Sequence, residues 1–519
     1  MLYSTFHNRP PYSASAAAGD WLKMSRRYRL LFIFLVLFYV AGAVSLALVR
    51  QPHEDEGHFA NAAVEFIDHG RLAMPMWTDW VPSLDRCMFV TLPLYFMQLG
   101  VWASVFGGSI AMLRLDSVLW GLVLVLSWAG ILRRLMPDSF AWLTGVVLIA
   151  GNYDVMSLTS ARYDPMAAAL NALAVFCYLH WRERNLPRAV LLANTCLALA
   201  CLTHPYVMFG IAGFAVFFVF FDLRRLSPAL ILLAALPYVV AFGAYGMYIW
   251  RYPVEFREQL GANAQGRLRL LTNPAATLGS DFVERYVRSF SGFRSDVPSY
   301  MKVKILLVVA WIAAFAGCFL IPSIRRNRKL LALAVYGLVC WLLLAFFEGT
   351  RMYNYLVHAV PAYSAVLAIP LAWFAARGPL YRSVVAVALV LFLLYSAATI
   401  LYRIRRDDYN VVYMDTMRDL QANVRPGDLV MGGAEFGPGL GFREHVLADR
   451  TLGYRNGLHP DLIVIDSPFR RNYTGMSQTN PQLHQHITDV LAGFDRVYTS
   501  APSSNQYEVY VRRSRRAFH

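Results

Sequence analysis

The chain has 519 residues, of which 57% are hydrophobic and 16% charged, and its formal net charge is +15. Soluble domains carry about 25% charged residues, so this composition excludes an ordinary soluble protein. The apolar residues form blocks of about 20, the length that crosses a bilayer. The basic residues cluster between those blocks, as the positive-inside rule requires of a membrane protein, so we expect no nucleic-acid partner.

The first 28 residues are polar and rich in Ala, Ser and Pro. The apolar run that follows is longer than the roughly 7–15 apolar residues of a signal peptide. We therefore predict a cytoplasmic tail over 1–28 and an uncleaved membrane helix over 29–49. This helix delivers residues 50–111 to the outside as a large loop. Within the loop, Leu92–Phe106 is short for a span and is expected to lie in the interface or to re-enter.

Further apolar segments alternate across the membrane when each arginine cluster is kept on the cytoplasmic side. These segments are 112–132, 139–158, 165–181, 189–203, 206–222, 229–250, 301–322, 330–348, 357–376 and 383–402. With 29–49 they make about eleven spans and leave 251–300 as a second large external loop. The predicted fold class is a polytopic α-helical membrane protein whose membrane domain covers residues 29–402.

Residues 403–519 follow the last span and are predicted to form a soluble α/β domain outside the cytoplasm. Alternation and apolar runs indicate its elements. They are strands at Asp428–Gly432 and Leu462–Asp466, an edge strand at Tyr507–Arg512, and a helix at Gln482–Phe494. The glycine-rich stretch Gly432–Gly441 does not match a dinucleotide-binding motif, so we predict a loop there.

Polar residues collect on the external side of this topology. They are Asp55, Glu56, Arg114, Arg162, Asp164, Thr203, His204, Tyr206, Arg351, Tyr353, Asn354, Tyr355 and His358. A carboxylate in such a cavity can take a proton from a hydroxyl nucleophile, and arginines can hold a phosphate as it leaves. The pattern favours a transferase that takes a sugar from a lipid phosphate.

Each of these residues also has a structural interpretation. Asp55 or Glu56 can cap the helix that follows them, and Asp164 can cap the helix that begins at Pro165. The arginines can be interfacial anchors whose head groups reach the lipid surface, and the two histidines can be structural.

The order of several short motifs resembles the GT-C membrane glycosyltransferases, in particular the aminoarabinose transferase and protein O-mannosyltransferase group. The motifs are Asp55–Ala63, Leu92–Tyr95, Phe106–Gly107, Leu113–Ser117, Arg162–Asp164 and Arg351–Pro361. The resemblance covers most of residues 29–402. It implies a polyprenyl-phosphate sugar donor, an inverting transfer, and an acidic residue of the first loop near the acceptor.

Carried over to this sequence, the resemblance gives a set of expected site residues. The catalytic carboxylate is Asp55, with Glu56 beside it. Residues expected to bind the donor phosphate are Arg162, Arg351, Arg114 and His204. Residues expected to bind substrate are Asp164, Tyr95, Tyr353, Tyr355 and His358. No cofactor is certain, but a divalent metal such as Mg or Mn is possible, with Asp55 and Asp164 as its ligands.

Two departures from the family pattern concern the donor phosphate. Aminoarabinose transferases usually carry a lysine before the Pro-Leu-Tyr element, where this chain has Val90 and Thr91. They also tend to have Lys-Gly-Pro where this chain has Thr203, His204 and Pro205. The arginines, a protonated His204 or a divalent metal would have to replace the missing cations. The aminoarabinose substrate is therefore in question, whereas the general reaction is less affected.

Three other functions are alternatives to this one. A transporter or lipid flippase would be expected to show repeated halves, and the sequence has no convincing internal repeat. A non-catalytic membrane scaffold would use its soluble tail to bind a partner, and that tail has no distinctive recognition motif. A polymerase or ligase of the same fold would add many sugars. The expected partners are a lipid-linked donor and a lipid, glycan or protein acceptor, and the expected location is a bacterial cytoplasmic (inner) membrane.

Overall fold

A computed structural model describes residues 24–77, 81, 83–136, 138–264, 273–293, 299–351, 353–442, 446–503 and 505–514. Most of the predicted tail, 1–28, lies outside these residues. The longer helices are α1 Arg26–Val49, α2 Glu54–His69, α3 Leu94–Phe106, α4 Ile110–Leu135, α5 Ser139–Ala150, α6 Tyr163–Trp181, α7 Leu186–Cys201, α8 Val207–Phe221, α9 Pro228–Arg251, α10 Pro253–Ala264, α11 Pro274–Asp281, α12 Lys304–Leu320, α13 Arg328–Phe347, α14 Val360–Ala375, α15 Pro379–Arg406, α16 Asp415–Asn423, α17 Ser467–Thr479 and α18 Pro481–Ala492.

Six helices in the described part of the chain are long and apolar enough to cross a membrane. They are α1, α4, α9, α12, α13 and α15. Shorter apolar helices are α3, α5, α7, α8 and α14. The protein is thus an integral, multi-pass membrane protein. Every segment predicted to span contains a helix, while the number of crossings, eleven, stays a prediction.

Helix α6 is a hub of the helical bundle because small side chains line it. Ala167, Ala169 and Ala174 are fully buried there, and α4, α7 and α8 pack against α6. Small residues let helix backbones approach closely, which is a main source of packing energy inside a membrane. Helix α5 packs against α14, and α1 packs against α4 and α15.

Both predicted external loops contain helices. In the first loop, α2 and α3 pack side by side. Helix α3 has 13 residues and is therefore about 20 Å long, short of the ~30 Å of a hydrocarbon core. The second loop contains α10, α11 and a π-helical segment at Phe282–Phe290.

The C-terminal residues form a sheet with the strand order β2-β1-β3-β5-β4 among the residues described. The strands are β1 Val430–Met431, β2 Val446–Leu447, β3 Leu462–Asp466, β4 Phe494–Thr499 and β5 Tyr507–Arg512. Strand β1 is parallel to β2 and β3, whereas β5 is antiparallel to β3 and β4. We call residues 430–512 the C-terminal unit.

The structure corrects the predicted position of the last strand in this sheet. Tyr507–Arg512 is not an edge strand, because it lies between β3 and β4. The edge strand on this side of the sheet is Phe494–Thr499, which the sequence did not predict. The predicted helix Gln482–Phe494 ends at Ala492, and only Gly493 separates it from the strand. A single glycine leaves no turn cluster to mark where the helix stops and the strand begins.

Candidate functional site

The first turn of α2 carries the two acids that the sequence analysis singled out. His53 caps this helix, since its Nδ1 accepts the backbone N–H of Asp55 at 3.1 Å. The backbone N–H of His53 donates in turn to Glu56 Oε1 at 2.9 Å. This reciprocal cap satisfies donors that a helix N-terminus otherwise leaves without partners. It also fixes the direction in which the two carboxylates leave the helix.

Arg162 joins Asp55 to a second acid, Asp164. Its Nη1 donates to Asp55 Oδ2, and its Nε donates to Asp164 Oδ2 at 2.9 Å. His358 Nε2 lies 3.3 Å from the other oxygen of Asp164. The Asp164 side chain is almost completely buried, whereas that of Asp55 keeps 32% of its surface exposed. Three segments far apart in the sequence thus meet in one chain of charged groups, and Asp55 is its accessible end.

Glu56 points the other way, into a buried ion pair with Arg114. Arg114 donates from Nε and Nη2 to the two Glu56 oxygens at 2.7 and 2.8 Å. Its Nη1 donates to the backbone carbonyls of Ala47 and Arg50, and Ala161 N–H donates to Glu56 at 3.0 Å. Both side chains are buried. The pair ties α1, α2, α4 and the segment before α6 together, and it occupies every guanidinium nitrogen of Arg114.

A cavity of about 140 Å³ lies next to Arg162 and Asp164. Its polar lining includes Arg50, His53, Asp154, Arg162, Asp164 and Asn354. Apolar groups such as Leu356 and Val360 complete its wall. Apolar walls with a few converging polar groups are typical of a small-ligand site. Two arginines and two aspartates are among those groups. The arginines can hydrogen-bond to an anion such as a phosphate, and the aspartates can accept hydrogen bonds from hydroxyl groups.

Rings pack behind Asp164 in a cluster that contains several of the predicted substrate residues. His204 stacks on Tyr163 with 4.2 Å between ring centroids, and it lies nearly parallel to His358 at 6.1 Å. Tyr206 contacts both Tyr355 and His358 at 4.8 Å. The structure therefore brings His204, Tyr355 and His358 together around Asp164.

Among the described residues, Arg162 and Asp164 are the predicted site residues that line the cavity, and Asp55 is connected to it through Arg162. Other predicted site residues lie elsewhere. Arg114 is closed in its pair with Glu56, so its predicted phosphate contact would require that pair to open. Tyr95 is fully buried against Phe59. Arg351 has a left-handed backbone, with φ of 55°, and donates to Ser280 Oγ at 2.6 Å. The side chain of Tyr353 lies outside the described residues.

Two polar residues that line the cavity, Asp154 and Arg50, were not among the predicted site residues. Asp154 lines it and is ion-paired with the buried Lys304 at the start of α12. Arg50 also lines it and donates to Ser157 O at 2.6 Å. The signal for the first pair was present, because Asp154 and Lys304 both lie inside segments predicted to span the membrane. An ionisable residue in such a segment is a site candidate by itself.

The two carboxylates predicted as metal ligands are already paired with a cationic side chain. Among the residues described, no three His, Cys, Asp or Glu side chains form a group that would hold one. Asp55 and Asp164, the two predicted ligands, are instead bridged by the guanidinium of Arg162. That group already supplies a positive charge between the two carboxylates.

Comparison with solved structures confirms the GT-C fold of the glycosyltransferases. ArnT from Cupriavidus metallidurans, bound to undecaprenyl phosphate, matches with a TM-score of 0.58 and 16% identity over 95% of this chain and 98% of that chain. The apo Archaeoglobus fulgidus oligosaccharyltransferase matches with a TM-score of 0.54 and 13% identity, covering 91% of this chain and 74% of that one. Its complex with Zn and sulfate gives 0.52 and 14%, over 90% and 72%.

At these identities the likeness establishes the fold and not the substrate. No protein-family model matches the sequence, and no curated protein matches it.

Proposed function

We propose that the protein is a glycosyltransferase that moves a sugar from a polyprenyl-phosphate donor to a hydroxyl group outside the cytoplasm, with inversion at the anomeric carbon. The observation that carries this proposal is the chain Asp55–Arg162–Asp164 beside a cavity in a GT-C fold. One protein of this fold, ArnT, has been solved with undecaprenyl phosphate. A lipid phosphate is the kind of ligand that an arginine binds through paired hydrogen bonds.

In the proposed reaction, Asp55 takes the proton of the acceptor hydroxyl as its oxygen attacks the anomeric carbon. The bond between that carbon and the phosphate oxygen breaks, and the polyprenyl phosphate leaves with the bonding electron pair. Arg162 donates to the phosphate oxygens and stabilises the charge that develops on them. Asp164 holds the guanidinium in place from the buried side. No step requires a metal.

The remaining residues divide into those that contact substrate and those that support them. We propose that His204, Tyr355 and His358 shape the substrate region, with Asn354 and Asp154 offering hydrogen bonds to sugar hydroxyls. Glu56 and Arg114 support Asp55 by fixing the start of α2.

The predicted topology puts this cavity on the extracytoplasmic side of a bacterial cytoplasmic membrane. The acceptor is then a lipid, a glycan or a protein that meets the donor at the outer leaflet.

The test is sugar transfer by the purified full chain, using a panel of polyprenyl-phosphate-linked monosaccharides with labelled sugars. We expect Asp55→Asn to lower turnover on the order of 10²–10⁴-fold, because a positioned general base contributes about that much. Asp68→Asn is the matched control, since Asp68 is an exposed acid on the same helix. It should stay within about twofold of wild type.

Turnover by Asp55→Asn within a few-fold of wild type would show that another residue does the chemistry. The same assay separates the other candidate functions. A product that grows by many sugars indicates a polymerase or ligase, and donor movement across liposomes without a covalent product indicates a flippase.

A further inference from the structure

The C-terminal unit rests on the turn of α2 that carries Asp55. A Cβ atom added to Gly57 would lie 1.9 Å from the carbonyl oxygen of Ala434, so the two backbones are in direct contact. Arg450 Nη2 donates to Glu54 Oε2 at 2.6 Å, and Gln51 donates to the carbonyl of Asn505 at 2.7 Å. The position of α2 therefore depends on how this unit is seated.

Glu435, which follows Ala434, is buried at this junction. It keeps only 2% of its surface exposed. Its Oε1 accepts from the Tyr507 hydroxyl at 2.8 Å, and its backbone carbonyl accepts from the Tyr413 hydroxyl at 2.7 Å. Its Oε2 has no hydrogen-bond partner among the described residues. A buried carboxylate with one oxygen unsatisfied is costly, whereas a neutral carboxyl is less so.

The charged groups around Glu435 make its ionisation harder. Glu54 faces it from α2 and Asp466 from the end of β3, and both act to raise its pKa. Arg450 lies between those two acids, with its Nη2 at 2.6 Å from Glu54 Oε2 and 3.5 Å from Asp466 Oδ2. Arg471 also acts on Asp466 as a positive charge. Burial is the largest cause, and together with the two acids it raises the pKa of Glu435 to about 8.

We propose that Glu435 is a positioning residue. Its neutral carboxyl allows the C-terminal unit to pack against α2, which we call the seated state. In that state the unit holds Asp55 beside Arg162. The packing of the C-terminal unit on α2 is a property of the fold. Its effect on the rate of sugar transfer rests on the proposed function. Glu435 acts on the cavity only through α2.

The direction of the pH effect follows from the raised pKa. The seated unit binds the Glu435 proton more tightly than a released unit, in which the carboxyl has its ordinary pKa of 4.5. Its contribution to seating is thus fully present below about pH 4.5 and is lost as the pH rises towards about 8. Above about pH 8 the contribution changes no further.

Hydrogen exchange of the full chain in lipid nanodiscs tests this proposal without any assay of turnover. Peptides from residues 54–69 are compared at about pH 5, 7 and 8.5 after correction for intrinsic exchange rates. We expect wild-type protection to fall on the order of tenfold or more across this range. Glu435→Gln should change by less than about twofold and be better protected than wild type at the highest pH.

Glu284→Gln is the control, because Glu284 is a half-buried acid of the π-helical segment, paired with Arg288; it should behave as wild type. Loss of protection in Glu435→Gln at every pH would reduce Glu435 to a structural residue and overturn the proposal. So would a pH response equal to that of wild type.

A second variant covers the case in which Glu435→Gln does not fold. Asp466→Asn keeps a side chain that can cap α17, as Asp466 does through Phe469 N–H, but removes one of the neighbouring negative charges. We expect the protection of residues 54–69 to be lost at a lower pH than in wild type, because the pKa of Glu435 falls. If the midpoint pH of this loss is the same as in wild type, the proposal is contradicted. If exchange behaves as expected while no donor supports transfer, the proposed function fails and the seating role stands.

Discussion

Asp55 and Glu56 are adjacent in sequence but occupy opposite environments. Asp55 is half-exposed at the end of a charged chain that reaches the cavity, and Glu56 is fully buried on Arg114. Burial alone would raise the pKa of Glu56, but the Arg114 charge and hydrogen bonds from Arg114, Ala161 and His53 lower it below its ordinary value. Its ion pair therefore contributes stability above about pH 4.5 that is lost as the pH falls further.

Neutralising Glu56 should lower the stability of the protein much more than neutralising Asp55. Glu56→Gln leaves the Arg114 guanidinium buried without its counter-charge, which costs about 3–5 kcal/mol in comparable buried pairs. We expect that loss in the free energy of unfolding measured with denaturant in detergent. Asp55→Asn should lose less than about 1 kcal/mol, because Asp55 is partly exposed. Equal stability of Glu56→Gln and wild type would show that the buried pair is not structural.

The family resemblance assigned the catalytic role to Asp55, but the local sequence does not show why Glu56 is the member that turns inward. Successive side chains on a helix differ in direction by about 100°, so one residue of rotation exchanges the two roles. That rotation is set by Arg114 and by the backbone of Ala161, which approach from other parts of the chain. Such contacts have no signature in the local sequence.

At the scale of elements, hydropathy placed a helix in every predicted span because long apolar runs are the strongest signal in a membrane sequence. It did not place the ends of those helices. The segment predicted as 139–158 stops being one helix at Ala150, and Asn152 caps a separate turn at Tyr153–Met156. Asp154 lies in that separate turn and lines the cavity.

The contact between α2 and the C-terminal unit requires a glycine at position 57. We expect Gly57→Ala to force these backbones apart, since overpacking costs about 1–3 kcal/mol and backbone atoms cannot turn aside. The measurement is the thermal unfolding midpoint together with hydrogen exchange of α2. Gly261→Ala in α10 is the control, because a Cβ there meets no atom within 4 Å. If both variants unfold at the wild-type temperature, the two backbones are not in contact.

At the scale of the whole molecule, the site is made from segments that the chain brings together only on folding. The sequence predicted an α/β unit at the C-terminus and located β3 correctly. It did not predict that this unit sits on the turn carrying Asp55. The contact joins a glycine to a backbone carbonyl, and neither leaves a periodic pattern or a motif that could be read beforehand.

The central claim is that Asp55 and Arg162 serve a lipid-phosphate sugar donor bound in the cavity that Arg162 and Asp154 line. The most direct test is a cryo-EM structure of the Asp55→Asn chain in nanodiscs with the polyprenyl-phosphate sugar that supports transfer in the wild-type chain. We predict phosphate density within about 3 Å of the Arg162 guanidinium, with the sugar in the cavity. Phosphate bound at the opposite membrane face, or without contact to Arg162, would contradict this account.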